Sequence, residues 1–234
     1  MTEAEWLACA DPKPMMTHLA RPTTDRKLRL FAVACCRRVW HRIPDPLSRW
    51  GVETLEMLVE GLATEADLRL AHAEAEAARR NLSQTGRSAG PYAAEAAASA
   101  LEWNVGHWPC VGSVATQASH AAAEMAELSG RNRRERKRQW VDGLTREQLA
   151  QANLFRCLIG NPFRPVALVP ACLTSTVVSL AKGMYESRDF GAMPILADAL
   201  QDAGCDSADV LGHCRGPGPH VRGCWVVDLV LGKE

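Results

Sequence analysis

The side chains best equipped to hold a metal or act as nucleophiles crowd into one stretch of the chain: Cys205, His213, Cys214, His220 and Cys224. Zinc takes four sulfur or nitrogen ligands in a tetrahedron. The run Arg215-Gly216-Pro217-Gly218-Pro219 is able to turn His213 or Cys214 back toward His220 and Cys224. The spacing permits such a site without demanding it, because neither paired CxxC knuckles nor an HxxxH or HExxH pattern occurs. The competing account is packing, with Cys205 and Cys224 as small buried hydrophobes and the two histidines hydrogen-bonded to loop carbonyls. On spacing alone the chain is expected to carry no cofactor, and zinc is the alternative.

Catalytic constellations fare worse. A thiol enzyme needs Cys beside His, and Cys214 next to His213, or Cys224 near His220, meets that need only in number, since neighbours on a helix point about 100° apart. Cys35-Cys36 lacks the two-residue spacer of a redox pair and lies in an apolar helical run, so both thiols are expected in the core. Asp198, Asp202, Asp206 and Asp209 recur at spacings of four, four and three, and on one helix face they would suit a hard cation or a basic partner. Gly204 interrupts that helix, which leaves a solvated acidic face and an N-cap role for Asp206 as the expectation. No Walker, Rossmann, kinase or Ser-hydrolase motif is present. No residue is assigned as catalytic, and the balance is against an enzyme.

Charge offers a second candidate site. Lys plus Arg equals Asp plus Glu, 27 against 27, which excludes a chain that coats nucleic acid along its whole length. The asymmetry is local: eight residues, Arg131-Asn132-Arg133-Arg134-Glu135-Arg136-Lys137-Arg138, hold six cations and one acid, and Trp140 follows. Such a run is able to grip phosphates, with the indole of Trp140 for stacking, although a solvated helix face is the commoner role of a charge run. Seven Trp outnumber four Phe and two Tyr. Trp103 and Trp108 flank His107 in a Gly- and Pro-bearing turn, and core packing is expected of them.

The elements that must position these groups are helices. A chain of 234 residues, 47% apolar and 23% charged, is long enough to bury a core and lies in the ordinary globular range. Nine cysteines are too sparse for a disulfide scaffold and imply reduced thiols. The start, Met1-Thr2-Glu3-Ala4-Glu5, is acidic where a signal peptide is basic, and no run nears the roughly 18 apolar residues of a membrane span. A cytoplasmic location with no membrane partner is therefore expected. Thr2 with Glu5, Thr64 with Asp67, and Thr145 with Gln148 read as capping boxes that open helices. Leu28, Phe31, Cys35, Val39 and Ile43 build one apolar helical face, and Asp11-Pro12-Lys13-Pro14 reads as a break. A turn is expected from Gly106 to Gly112, and the apolar segment from Gly223 to Gly232 is assigned to helix because no partner strand is evident. The pattern predicts an all-α, irregular bundle of about 8 to 10 helices with a Gly/Pro-rich loop near the C-terminus. Residues 1–234 form one domain, with 1–83 and 142–234 as candidate submodules joined by a variable helical region carrying the basic segment 131–140.

Asp25 to Trp40, and the chain from Ile159-Gly160-Asn161-Pro162-Phe163-Arg164-Pro165-Val166 onward, resemble a paralogous family of uncharacterised planctomycete-type bacterial proteins. The strings Pro194-Ile195-Leu196-Ala197-Asp198-Ala199-Leu200, Asp202-Ala203-Gly204-Cys205 and His220-Val221-Arg222-Gly223-Cys224-Trp225-Val226-Val227-Asp228 carry that resemblance. It covers about half of the chain, leaves out residues 84–140, and implies membership without transferring an activity or a cofactor. The expectation for function is a non-enzymatic helical adaptor that binds another macromolecule, in the first instance a protein. A zinc-stabilised C-terminal module and a nucleic-acid accessory protein using the Arg-rich segment are the alternatives.

Overall fold

A computed structural model describes residues 1–19, 24–43, 45–84, 91–102, 108–127 and 132–233. The described residues form twelve α-helices and no strand. In chain order they are α1 (Glu3–Ala8), α2 (Pro12–His18), α3 (Asp25–Arg38), α4 (Pro46–Val59), α5 (Glu65–Gln84), α6 (Pro91–Leu101), α7 (Trp108–Glu127), α8 (Arg133–Ile159), α9 (Ser175–Ser187), α10 (Met193–Asp202), α11 (Ala208–Arg215) and α12 (Trp225–Leu231). No helix among them is long and apolar enough to cross a membrane.

Twelve exceeds the expected 8 to 10, and the surplus has a local cause. α1 ends at Ala8, so the expected break is there, but Pro12 and Pro14 also sit in the first turn of a further helix, α2, where backbone N–H groups have no intrahelical acceptor to lose. Asp11 caps that turn, accepting from the Lys13 N–H at 3.0 Å. α11 is likewise short and begins at a Ser207 cap, whose hydroxyl oxygen accepts from the Val210 N–H at 3.4 Å. Thr145 opens nothing: it lies inside α8, where its hydroxyl donates back to the Val141 carbonyl at 3.0 Å. Gly112 is likewise inside α7 and not in a turn. Arg131, Trp103, Gly106 and His107 lie outside the described residues.

Two compact units divide the chain: Met1 with Ala8–Ala152, and Thr2–Leu7 with Asn153–Glu234. In the first, α6 is enclosed by α3, α4, α5 and α7. Its residues Ala93, Ala94, Ala96, Ala97, Ala98, Ser99, Ala100 and Leu101 are all buried, and the half-buried Glu95 accepts from the Arg79 guanidinium at 3.2 Å. Leu28, Phe31, Cys35, Val39 and Ile43 are all buried, but only the first three lie on α3, which ends at Arg38; Val39 and Ile43 flank the short turn Trp40–Arg42 that follows. Arg38 grips the buried Glu147 with two parallel bonds of 2.7 and 2.8 Å, pinning α3 to α8.

The second unit holds the Cys/His-rich stretch. Thr2 and Glu5 cap α1 reciprocally, the Thr2 N–H donating to Glu5 Oε2 at 2.7 Å and the Glu5 N–H to Thr2 Oγ1 at 3.2 Å. The buried Trp6 of that helix packs on Phe155, ring centroids 5.9 Å apart. Val177, Met184, Leu196, Leu200, Val210 and Val226 are among the residues that fill the core under α9 to α12. α10 pairs with α11, and α9 packs against both α10 and α12.

Candidate metal centre

Four donors meet inside the second unit: Cys157, His213, His220 and Cys224, with one ligand atom of each lying within 4.8 Å of all the others. Each comes from a differently placed backbone. Cys157 is in the last turns of α8, His213 is in the last turn of α11, His220 is in the loop that follows, and Cys224 is the residue before α12. Both sulfurs are buried and both imidazoles half-buried.

Local bonds hold these elements in register. The Arg215 guanidinium donates to Asp198 Oδ1 at 2.8 Å and to Gln201 Oε1 at 2.6 Å, tying the end of α11 to α10. Arg222 donates to the Tyr185 carbonyl at 2.9 Å and to that of Glu186 at 3.3 Å, fixing the loop on the end of α9. Gly223 adopts φ +85°, a left-handed conformation that turns the chain into Cys224. Gly160, just past α8, has φ +78°, and a Cβ there would stand 3.2 Å from the Trp225 ring. That indole in turn faces His213 at 5.3 Å, and His213 meets His220 edge to face at 4.9 Å.

The distances suit a metal. His213 Nε2 lies 3.2 Å from Cys224 Sγ, and Cys157 Sγ lies 3.9 Å from His220 Nδ1. A tetrahedral zinc with sulfur at ~2.3 Å and nitrogen at ~2.0 Å sets its ligand atoms roughly 3.3 to 3.8 Å apart. Electrostatics agree with geometry. Burial drives the Cys224 thiol upward, yet hydrogen bonds from Cys157, His213 and His220 outweigh it and hold the group well below its ordinary value, in the thiolate form that binds metal. His220 turns Nδ1 toward Cys157, and its Nε2 is buried with no hydrogen-bond partner among the described residues.

Of the five residues singled out from the sequence, the fold brings together His213, His220 and Cys224, while Cys205 and Cys214 stay outside the cluster. Burial, with Cys224 and Cys205 nearby, pushes the Cys214 thiol up to about 12, so it remains protonated and packs as a small hydrophobe. The fourth position belongs to Cys157, 63 residues before His220. Its only sequence signal is a thiol in a helical stretch whose neighbours Leu154, Phe155 and Leu158 are also buried, indistinguishable from core until α8 is placed. In the first unit Cys35 and Cys36 are buried, and burial raises both thiols, Cys36 to about 12. Asp198 serves the Arg215 tie, and Ser207 takes the capping role expected of Asp206.

A second group of metal-capable side chains, His72, Glu76 and Glu102, lies in the first unit. There the Arg79 guanidinium already holds the Glu76 carboxylate with two bonds of 2.9 Å, which neutralises the charge a cation would use. Of the basic run, Arg133, Arg134, Arg136, Lys137 and Arg138 are exposed along the start of α8. Trp140 is half-buried, its ring 5.6 Å from that of His120, which meets Tyr92 edge to face at 5.0 Å. Set against protein-family models, curated proteins and solved structures, the chain matches none of them.

Proposed function

We propose that the second unit is a zinc-stabilised helical module that serves macromolecular recognition and not catalysis. The observation that carries the proposal is the convergence of two sulfurs and two imidazoles, on Cys157, His213, His220 and Cys224, with one ligand atom of each within 4.8 Å of all the others. Zinc is favoured among divalent metals because two thiolates with two imidazoles match its preferred soft and borderline donors in a tetrahedron. Four protein ligands close the coordination sphere, whereas catalytic zinc keeps a position open for water or substrate. The closed set therefore supports a structural role. Three of the donors sit at the ends of short helices or in the loop between them, and α11 and α12 have eight and seven residues, too short to persist without a fastening.

Metal analysis of the purified chain tests this directly. One zinc per chain is expected, and Cys157→Ala and Cys224→Ala should each abolish it. Cys205→Ala and Cys214→Ala should retain it, because their sulfurs lie outside the cluster. Metal-free protein from zinc-supplemented expression, or full zinc content in the Cys157→Ala variant, would overturn the proposal.

A further inference from the structure

The first unit carries a cationic surface that the zinc module does not use. In this unit the arginines outside that surface are widely matched to acids. Arg29 pairs with Glu65, Arg37 with Glu56, Arg38 with Glu147, Arg42 with Glu124, and Arg79 with Glu76, at 2.7 to 3.5 Å. Arg133, Arg134, Arg136, Lys137 and Arg138 contrast with these. All five are exposed, and none forms an ion pair among the described residues. They also occupy the first two turns of α8, the end where the helix dipole disfavours cations, so the fold gains nothing electrostatically by placing them there.

Their angular placement limits what they can grip. At about 100° per residue the five side chains sweep an arc of roughly 200°, and Glu135 and Asp142 fall on the opposite side. A flat anionic surface would meet only half of such an arc. A groove with phosphates on both walls meets all of it, and the major groove of a duplex, about 12 Å wide, admits one helix. An interfacial membrane helix would also need apolar residues facing the lipid, and positions 133–138 offer none. Trp140 is packed against His120, which removes the stacking platform a single strand would use.

We propose that residues 133–138 of α8 form a docking surface for the phosphate backbone of double-stranded DNA, binding without base preference. Fluorescence anisotropy of the full chain with a labelled 20-base-pair DNA duplex, titrated across sodium chloride concentrations, tests it. Five displaced counterions give an expected log–log slope of about −4 to −5. Replacing Arg133, Arg134, Arg136 and Arg138 together by Gln should weaken binding at least tenfold and flatten the slope toward −1. Replacing the same four by Lys should keep the slope. The side chains are exposed, so both variants should melt with the parent. The unmodified chain alone suffices for a decision: no duplex binding, or a slope shallower than about −2, overturns the proposal whatever the variants do. So does an unchanged affinity in the Gln variant, or binding to phosphatidylglycerol vesicles with none to the duplex.

Discussion

Gly160 shows how one residue positions the candidate metal centre without belonging to it. Its φ of +78° is open to glycine and costly for other residues, and the missing side chain lets the Trp225 indole lie flush on the end of α8. Gly160→Ala is expected to lose about 1 to 2 kcal/mol, from the left-handed backbone and from a ring that must move away. Because that ring backs His213, the same variant should also bind zinc more weakly, as read by chemical denaturation and by competition with a chromophoric chelator. Neither consequence is visible in the string Ile159-Gly160-Asn161-Pro162, where the glycine reads only as the end of a helix. His213, His220 and Cys224 were legible as metal-capable because they fall close together around a turn. Cys157 was not, since its partner lies 63 positions away and its neighbours spell core.

At the scale of elements, helix boundaries follow from caps more faithfully than from breakers. The thirteen prolines suggest interruptions, yet Pro12, Pro46, Pro91 and Pro194 each sit in the first turn of a helix, where their fixed φ helps. A Pro-rich tetrad therefore hid α2, and a Thr-x-x-Gln pattern at Thr145 suggested a start in the middle of α8. Periodicity located α3, whose Leu28, Phe31 and Cys35 are buried as spaced. It missed α11, whose eight residues complete only two turns. That helix delivers His213, and its Ser207 cap carries a prediction. Ser207→Ala should cost about 1 kcal/mol through one unsatisfied N–H and fraying of the helix. Thermal melts with and without added zinc should show the loss larger in the metal-free protein, because metal bound at His213 holds the helix from its other end.

Across the whole molecule the two units are expected to respond differently to metal removal. Chelation should accelerate amide hydrogen exchange in α9 to α12, where three donors and the core around Val226 and Leu196 are coupled. The enclosed α6 and its neighbours, held by close-packed alanines and by the Arg38–Glu147 pair, should exchange as before. Uniform acceleration across both units would contradict a metal confined to the second. The sequence separation of the donors has one more consequence, and it concerns the unfolded chain. A metal joining Cys157 to His220 closes a loop across 63 positions, and a cross-link of that span removes unfolded-chain entropy worth about 4 kcal/mol on the scale used for disulfides. His213, His220 and Cys224 alone would close only a short one. Cys157 is thus the donor that converts a local clasp into a long-range staple, and a reversible one, answering to metal supply where a disulfide answers to redox state.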